Sequence, residues 1–166
     1  MALQKSVNFY PAVGVAGQQV HLGQAVYTPL NYLSDGSVKA GSFCFVGSAS
    51  TNVGGAEMPV ATFTDESATA VLGFVERTFT GLLNYAVNAS LKYPEGEQIT
   101  VAIQGDYYHE ATGVASVGNK VLVNPATGAV SYGSSASAGL IDTGWVVKTA
   151  SSAEGDIIVI SNHHAD

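Results

Sequence analysis

From Asp35-Gly36 onward, short runs of β-branched, aliphatic and aromatic residues alternate with clusters of Gly, Ser, Asn and Pro. That pattern predicts strands joined by tight turns. The candidate strands are 42–46, 59–63, 71–78, 82–86, 98–104, 120–123, 144–149 and 156–161. Asn52-Val53-Gly54-Gly55, Pro94-Glu95-Gly96, Gly118-Asn119, Asn124-Pro125-Ala126-Thr127-Gly128 and Glu154-Gly155-Asp156 punctuate them as turns. No stretch of helical length carries apolar residues at helical spacing; the nearest, 67–75, is too rich in β-branched residues. The expected class is all-β, a small barrel or sandwich.

The pattern of residues 1–35 is different. Pro11, Pro29, Gly14, Gly17 and Gly23 rule out a helix there, and Phe9, Tyr10, Tyr27 and Tyr32 supply apolar anchors. This predicts an extended N-terminal arm (1–35) leading into a β-domain (36–166), with Phe9, Tyr10, Pro11, Tyr27 and Tyr32 as its contacts to a partner. Removing the arm is then expected to leave the domain folded. The partly alternating run from Val20 to Tyr27 also fits the first strand of a barrel.

Within the domain, Gly-Phe-Val-Glu-Arg-Thr-Phe at 73–79 is matched by Gly-Trp-Val-Val-Lys-Thr-Ala at 144–150, at a constant offset (144 − 73 = 71). The pairs Gly73/Gly144, Phe74/Trp145, Val75/Val146, Arg77/Lys148 and Thr78/Thr149 preserve size, charge sign and alternation. The expectation is a β-unit used twice, with halves roughly 36–90 and 105–161, and with Phe74 and Trp145 at equivalent interior positions.

The 166 residues suffice for one domain, able to bury roughly 70% of its unfolded surface. Charged residues make up 11% of the chain, against roughly 25% in ordinary soluble domains, so something other than water is expected to cover part of the surface. The net charge of −7 comes from 13 acidic and 6 basic residues. The basic ones (Lys5, Lys39, Arg77, Lys92, Lys120, Lys148) are scattered singly, which argues against a nucleic-acid or acidic membrane surface as partner. Cys44, the single cysteine, lies between Phe43 and Phe45 and is expected to be buried. The N-terminus lacks the basic start and long apolar core of a secretory signal, so synthesis in a reducing cytoplasm is expected. Asn88-Ala89-Ser90 fits the glycosylation pattern, but without export it carries no meaning.

Residues that could do chemistry are few. Asp106, His109 and Glu110 sit close in sequence, but His109 and Glu110 point to opposite faces if the run is extended. Tyr107, Tyr108 and His109 fit an interface better, because Tyr offers a large amphipathic contact area. His163-His164 with distant His21 is too sparse for zinc, and Asp65-Glu66 lacks the alternating oxygens of a calcium loop. Nucleophile elbows, phosphate loops, Cys-x-x-Cys pairs and dinucleotide fingerprints are all missing from the sequence. No enzymatic activity, cofactor or metal is expected.

From Gly118 the chain runs Gly118-Asn119-Lys120-Val121-Leu122-Val123-Asn124-Pro125-Ala126-Thr127-Gly128, then Thr143-Gly144-Trp145-Val146, then Gly155-Asp156-Ile157-Ile158-Val159-Ile160. This progression resembles the small β-fold of tailed-phage capsid cement (decoration) proteins. Asn8-Phe9-Tyr10-Pro11 through Gly23-Gln24-Ala25-Val26-Tyr27 is similar to the arms of cement proteins from short-tailed phages. The resemblance implies a structural protein made in the host bacterial cytoplasm that binds the outside of an expanded head. There it would hold major capsid protein subunits together, as a homo-trimer ahead of a dimer. An arm ordering on the shell would spread contacts over several subunits and add avidity. Two other readings remain beside it: a carbohydrate-binding or adhesin-type module stacking sugars on Tyr107, Tyr108 and Trp145, and an enzyme using Asp106, His109 and Glu110.

Overall fold

Strand geometry sends successive side chains to opposite faces, and in Phe43-Cys44-Phe45 and Gly73-Phe74-Val75 every one of them is buried. These strands therefore need apolar partners on both sides, and the fold supplies them. The computed structural model describes residues 13–21, 24–53, 55–78 and 91–163. In chain order the strands are β1 (Val26–Tyr27), β2 (Tyr32–Ser34), β3 (Phe43–Val53), β4 (Ala56–Thr62), β5 (Gly73–Val75), β6 (Gln98–Ile99), β7 (Val101–Gln104), β8 (Asp106–Glu110), β9 (Lys120–Val123), β10 (Val130–Gly133), β11 (Ile141–Val147) and β12 (Ile157–Ser161). No helix occurs among the described residues.

Seven strands form one sheet in the order β1-β7-β5-β3-β4-β2-β6, and five form a second in the order β10-β9-β11-β12-β8. No ladder joins β1 to β6, so the larger sheet is not a closed barrel. It nevertheless curls, because β6 and β7 are one extended run interrupted at Thr100. β6 pairs with β2, while β7 pairs with β5 and β1. The curl encloses one core: Tyr32, Val38, Cys44, Ala61, Val75, Tyr93, Ile99 and Val101. The opposite face of β3, β5 and β7 packs on the smaller sheet in a sandwich, through Phe43, Phe45, Phe74, Ala102, Tyr107, Val121, Trp145, Ile158 and Ile160. Alternation alone sorts Phe43 and Phe45 into one core and Cys44 into the other.

The all-β expectation holds, and 120–123 and 157–161 fall almost where the pattern puts them. Two runs extend further than expected, β3 to Val53 and β4 back to Ala56, because their polar outer halves pair as a ribbon. Expected strand 82–86, the sequon and His164 lie outside the described residues. The matched segments occupy different sheets, with β5 between β3 and β7, and β11 between β9 and β12. Their glycines differ as well. A Cβ at Gly73 would stand 2.5 Å from the Ala102 carbonyl oxygen, whereas one at Gly144, where φ is +76°, would meet only Asn162 Oδ1, at an ordinary contact distance of 3.8 Å. The shared letters therefore answer two local demands, close backbone approach in one strand and a left-handed residue in the other.

Candidate interaction surface

The described part of the expected arm is built into the sheets. Gly17 N–H donates to the Tyr108 carbonyl (2.8 Å), Tyr108 N–H to that of Gln18 (2.9 Å) and Val20 N–H to that of Asp106 (2.9 Å). The run continues with Val26 opposite Gln104 and Tyr27 opposite Ala102 in β1–β7. Thr28 N–H then donates to Val101 (3.0 Å), Tyr32 stands opposite Ile99, and Ser34 N–H donates to Glu97 (2.8 Å). Residues 17–21 and 24–34 thus run antiparallel along 97–108 and cover the place where the chain passes between the two sheets at Gly105. Backbone groups that would otherwise form an open edge are paired. Ala16, Tyr32, Leu33 and Ser34 are buried beneath this strip. Gly17 and Gly41 (φ +85° and +75°) approach so closely that a Cβ on Gly17 would lie 2.8 Å from the Gly41 nitrogen.

The exposed residues of the strip mix apolar side chains with uncharged polar ones such as Gln18, Gln24 and Asn31. Between Lys5 and Asp35 there is no Lys, Arg, Asp or Glu. Val13, Val15, Val26, Tyr27 and Leu30 are exposed along it, Val13 at 80% and Leu30 at 57%, with Ile103 of β7 beside them. Exposed apolar residues set singly need no explanation, but several on one uncharged strip mark a contact surface. The Tyr27 hydroxyl accepts from Gln19 Nε2, which also donates to the Tyr107 hydroxyl at 3.2 Å. Partial burial, reinforced by Glu76, raises the Tyr27 phenol above its ordinary value, so it stays a neutral donor.

Of the residues singled out in the sequence, Phe9, Tyr10 and Pro11 lie outside the described residues. Tyr27 is on the exposed strip, but Tyr32 is buried in the curl of the larger sheet. β8 alternates: Tyr107 and His109 point into the sandwich, while Glu110 faces outward. Tyr107 and Trp145 are buried, and Gly14 lies against the Tyr108 ring, so the three aromatics form no sugar-stacking platform. On β8 His109 is buried and Glu110 exposed. Cys44 is fully buried, and burial pushes its thiol far up. Among the described residues no group of three or more His, Cys, Asp or Glu is placed to hold a metal.

His109 Nδ1 lies 3.1 Å from the Gly41 carbonyl oxygen, which can only accept, so Nδ1 carries the proton and Nε2 is left as a buried acceptor without a partner. Burial pushes its pKa down to about 4, the bond to Gly41 acting in the opposite sense. It sits at the floor of a cavity of about 520 Å³ between the sheets, with Lys39, Phe63, Glu110 and Glu154 on the walls. The sequence signal that marks the contact strip is the missing charge from Ser6 to Ser34, which aromatic content alone does not reveal.

A family model described as "Structural cement protein (E217 gp24/Pam3 gp6)" matches residues 3–162. None of the curated proteins matches. Among solved structures, a chain of "The capsid of Myoviridae Phage XM1" superposes with a TM-score of 0.66 at 16% identity, covering 99% of each chain, a likeness of fold.

Proposed function

The chain belongs to the structural cement protein family, and on that premise we propose that it binds the outer surface of a phage head and bridges neighbouring major capsid protein subunits. It is a capsid-binding structural protein that stabilises the shell. The observation that carries this reading is the family match over residues 3–162, nearly the whole chain. The strip between Val13 and Ser34 supports it physically: with several exposed apolar side chains and free of like-charge repulsion, it suits a broad protein surface. A copy that touches neighbouring subunits at once gains avidity from its linked contacts. The protein acts without catalysis, cofactor, nucleic acid or membrane; it is made in the host cytoplasm, resides on the virion and functions as a homo-oligomer.

The test is co-sedimentation with expanded heads that lack the protein, followed by imaging of the pellet. The expected result is regular added density at symmetry positions, saturating at a fixed ratio to the shell subunit. Protein left in the supernatant at every concentration, with heads intact, overturns the reading.

A further inference from the structure

The distal halves of β3 and β4 stand away from both cores. Ser48, Ala49, Ser50 and Thr51 are all exposed, as are Gly55, Ala56 and Glu57 across the ribbon. A two-stranded ribbon with neither face covered by described residues is marginal in water by itself and suits a partner. Its two outer edges are not equivalent. Along β4 the edge carries Glu57 and Pro59, features that discourage strand addition. Along β3 the edge is paired to β5 only at Phe43 and Cys44, and among the described residues no strand continues that pairing beyond Cys44.

The register with β4 shifts between Val46 and Ser50, where β3 carries two residues more than its partner, and is regular from Ser50 to Val53. Val53 stands opposite Ala56 across a two-residue turn, which makes that a hydrogen-bonded pair; the next pair of the same kind is Thr51–Met58. Ser50, opposite Pro59, then has its own N–H and carbonyl turned to the outer edge, as suits a proline partner with no N–H to give.

We propose that the outer edge of β3, centred on Ser50, pairs antiparallel with the same edge of a second copy of this chain, joining two sheets across a two-fold axis. The choice of a second copy rests on charge and symmetry. The chain carries −7, so two copies repel least where they meet through uncharged chain, and no charged residue occurs from Ala40 to Ala56, the Glu57 carboxylate across the ribbon being tied to the Ser50 hydroxyl. An antiparallel strand edge is self-complementary about a two-fold, so residue i meets j and j meets i. Small side chains on this edge allow close approach, and Val46, half exposed at the root, gives each copy an apolar contact.

The proposal does not depend on capsid binding and is tested on the full chain alone. Wild type is expected to be a concentration-dependent dimer in analytical ultracentrifugation. The double substitution A49K/T51K, which puts four like charges around the axis, is expected to weaken it at least about tenfold with an unchanged melting temperature. Because Cys44 is buried, Ser48→Cys or Ser50→Cys adds the one reactive thiol; at least one of these variants should form a disulfide-linked dimer on mild oxidation. A monomer at every concentration, a trimer, or a dimer indifferent to A49K/T51K overturns the proposal. So does a monomer in which A49K/T51K abolishes head binding, which would give this edge to the shell instead.

Discussion

Phe74 and Trp145 meet with ring centroids 5.6 Å apart and planes inclined at 41°, one from each sheet. They are the two large aromatics of the matching seven-residue segments, and the structure turns them towards each other. Phe43 (6.1 Å) and Tyr107 (5.9 Å) complete the ring of aromatics around Trp145. The two sheets are thus joined at a single aromatic centre.

Trp145→Ala is expected to cost on the order of 3 to 5 kcal/mol, because the void sits between two sheets that cannot both collapse into it. Urea unfolding followed by circular dichroism measures the loss. Phe74→Ala should cost a similar amount, and the double variant less than the sum, since the rings share one contact. Strict additivity would mean that the two do not support each other.

The matched glycines should respond differently to the same substitution. Gly73→Ala forces a Cβ to within 2.5 Å of the Ala102 carbonyl oxygen, and backbone must move, costing about 1–3 kcal/mol or more. Gly144→Ala meets no close atom and suffers only from the φ of +76°, about 1–2 kcal/mol. Asn tolerates left-handed backbone, so Gly144→Asn should recover part of that loss while Gly73→Asn should be worse than Gly73→Ala. Equal responses at the two sites would contradict this assignment of causes.

His109 ties stability to pH in a definite window. Its folded pKa of about 4 lies below the ordinary 6.5, so the unfolded chain takes up the proton first and stability falls as pH drops from about 6.5 towards 4. The full effect is on the order of 3 kcal/mol. Asp142, held low by Lys120, and Asp156, held low by the Ser152 amide, lose their contributions only at still lower pH. Denaturant melts at pH 7 and pH 4.5 should therefore show a clear drop in the wild type and a flatter response in His109→Phe. A drop of the same size in both would assign the effect elsewhere.

Strand periodicity shows in the sequence wherever a run is buried on one or both faces, as at 42–46, 120–123 and 157–161. It is faint at β10, where Val130-Ser131-Tyr132-Gly133 is short and only partly buried. It is partial from Val20 to Tyr27, where alternation fits a first strand, while the Pro and Gly residues around it suggest an extended arm. Residues 17–21 and 24–34 are strand partners held by backbone bonds to 97–108, and backbone pairing leaves little trace in side-chain pattern. Tyr107 and His109 show the converse. Polar-looking residues signal a surface, yet alternation along β8 turns both inward, where the Tyr107 hydroxyl finds Gln19 and the His109 ring finds Gly41.

Deleting residues 1–35 is expected to unfold the protein rather than to leave an intact domain. The cut removes β1, β2, the buried side chains of Tyr32 and Leu33, and the backbone partners of Val101, Asp106 and Tyr108. Deletion of residues 1–12 removes none of these. Thermal melts of the two truncations should differ sharply; a cooperative melt near the wild-type temperature for the longer deletion would show that 17–34 is dispensable to the fold.

Point changes on the outer face of the strip separate binding from folding, which truncation cannot do. Val13 and Leu30 are exposed at 80% and 57%, so Val13→Glu and Leu30→Glu should leave stability within about 0.5 kcal/mol of the wild type. On the shell the same carboxylates would be desolvated against an apolar contact, with a penalty of about 1–3 kcal/mol each, and occupancy is multiplied over every site on the head. Head binding should weaken by about tenfold for either substitution and more for both together. Glu at Val114 or Val117, equally exposed but in the β8–β9 connection away from the strip, is the control and should bind as the wild type does. If the controls lose binding and the strip variants keep it, the shell-facing side is the β8–β9 end of the molecule, and the N-terminal strip serves the fold alone.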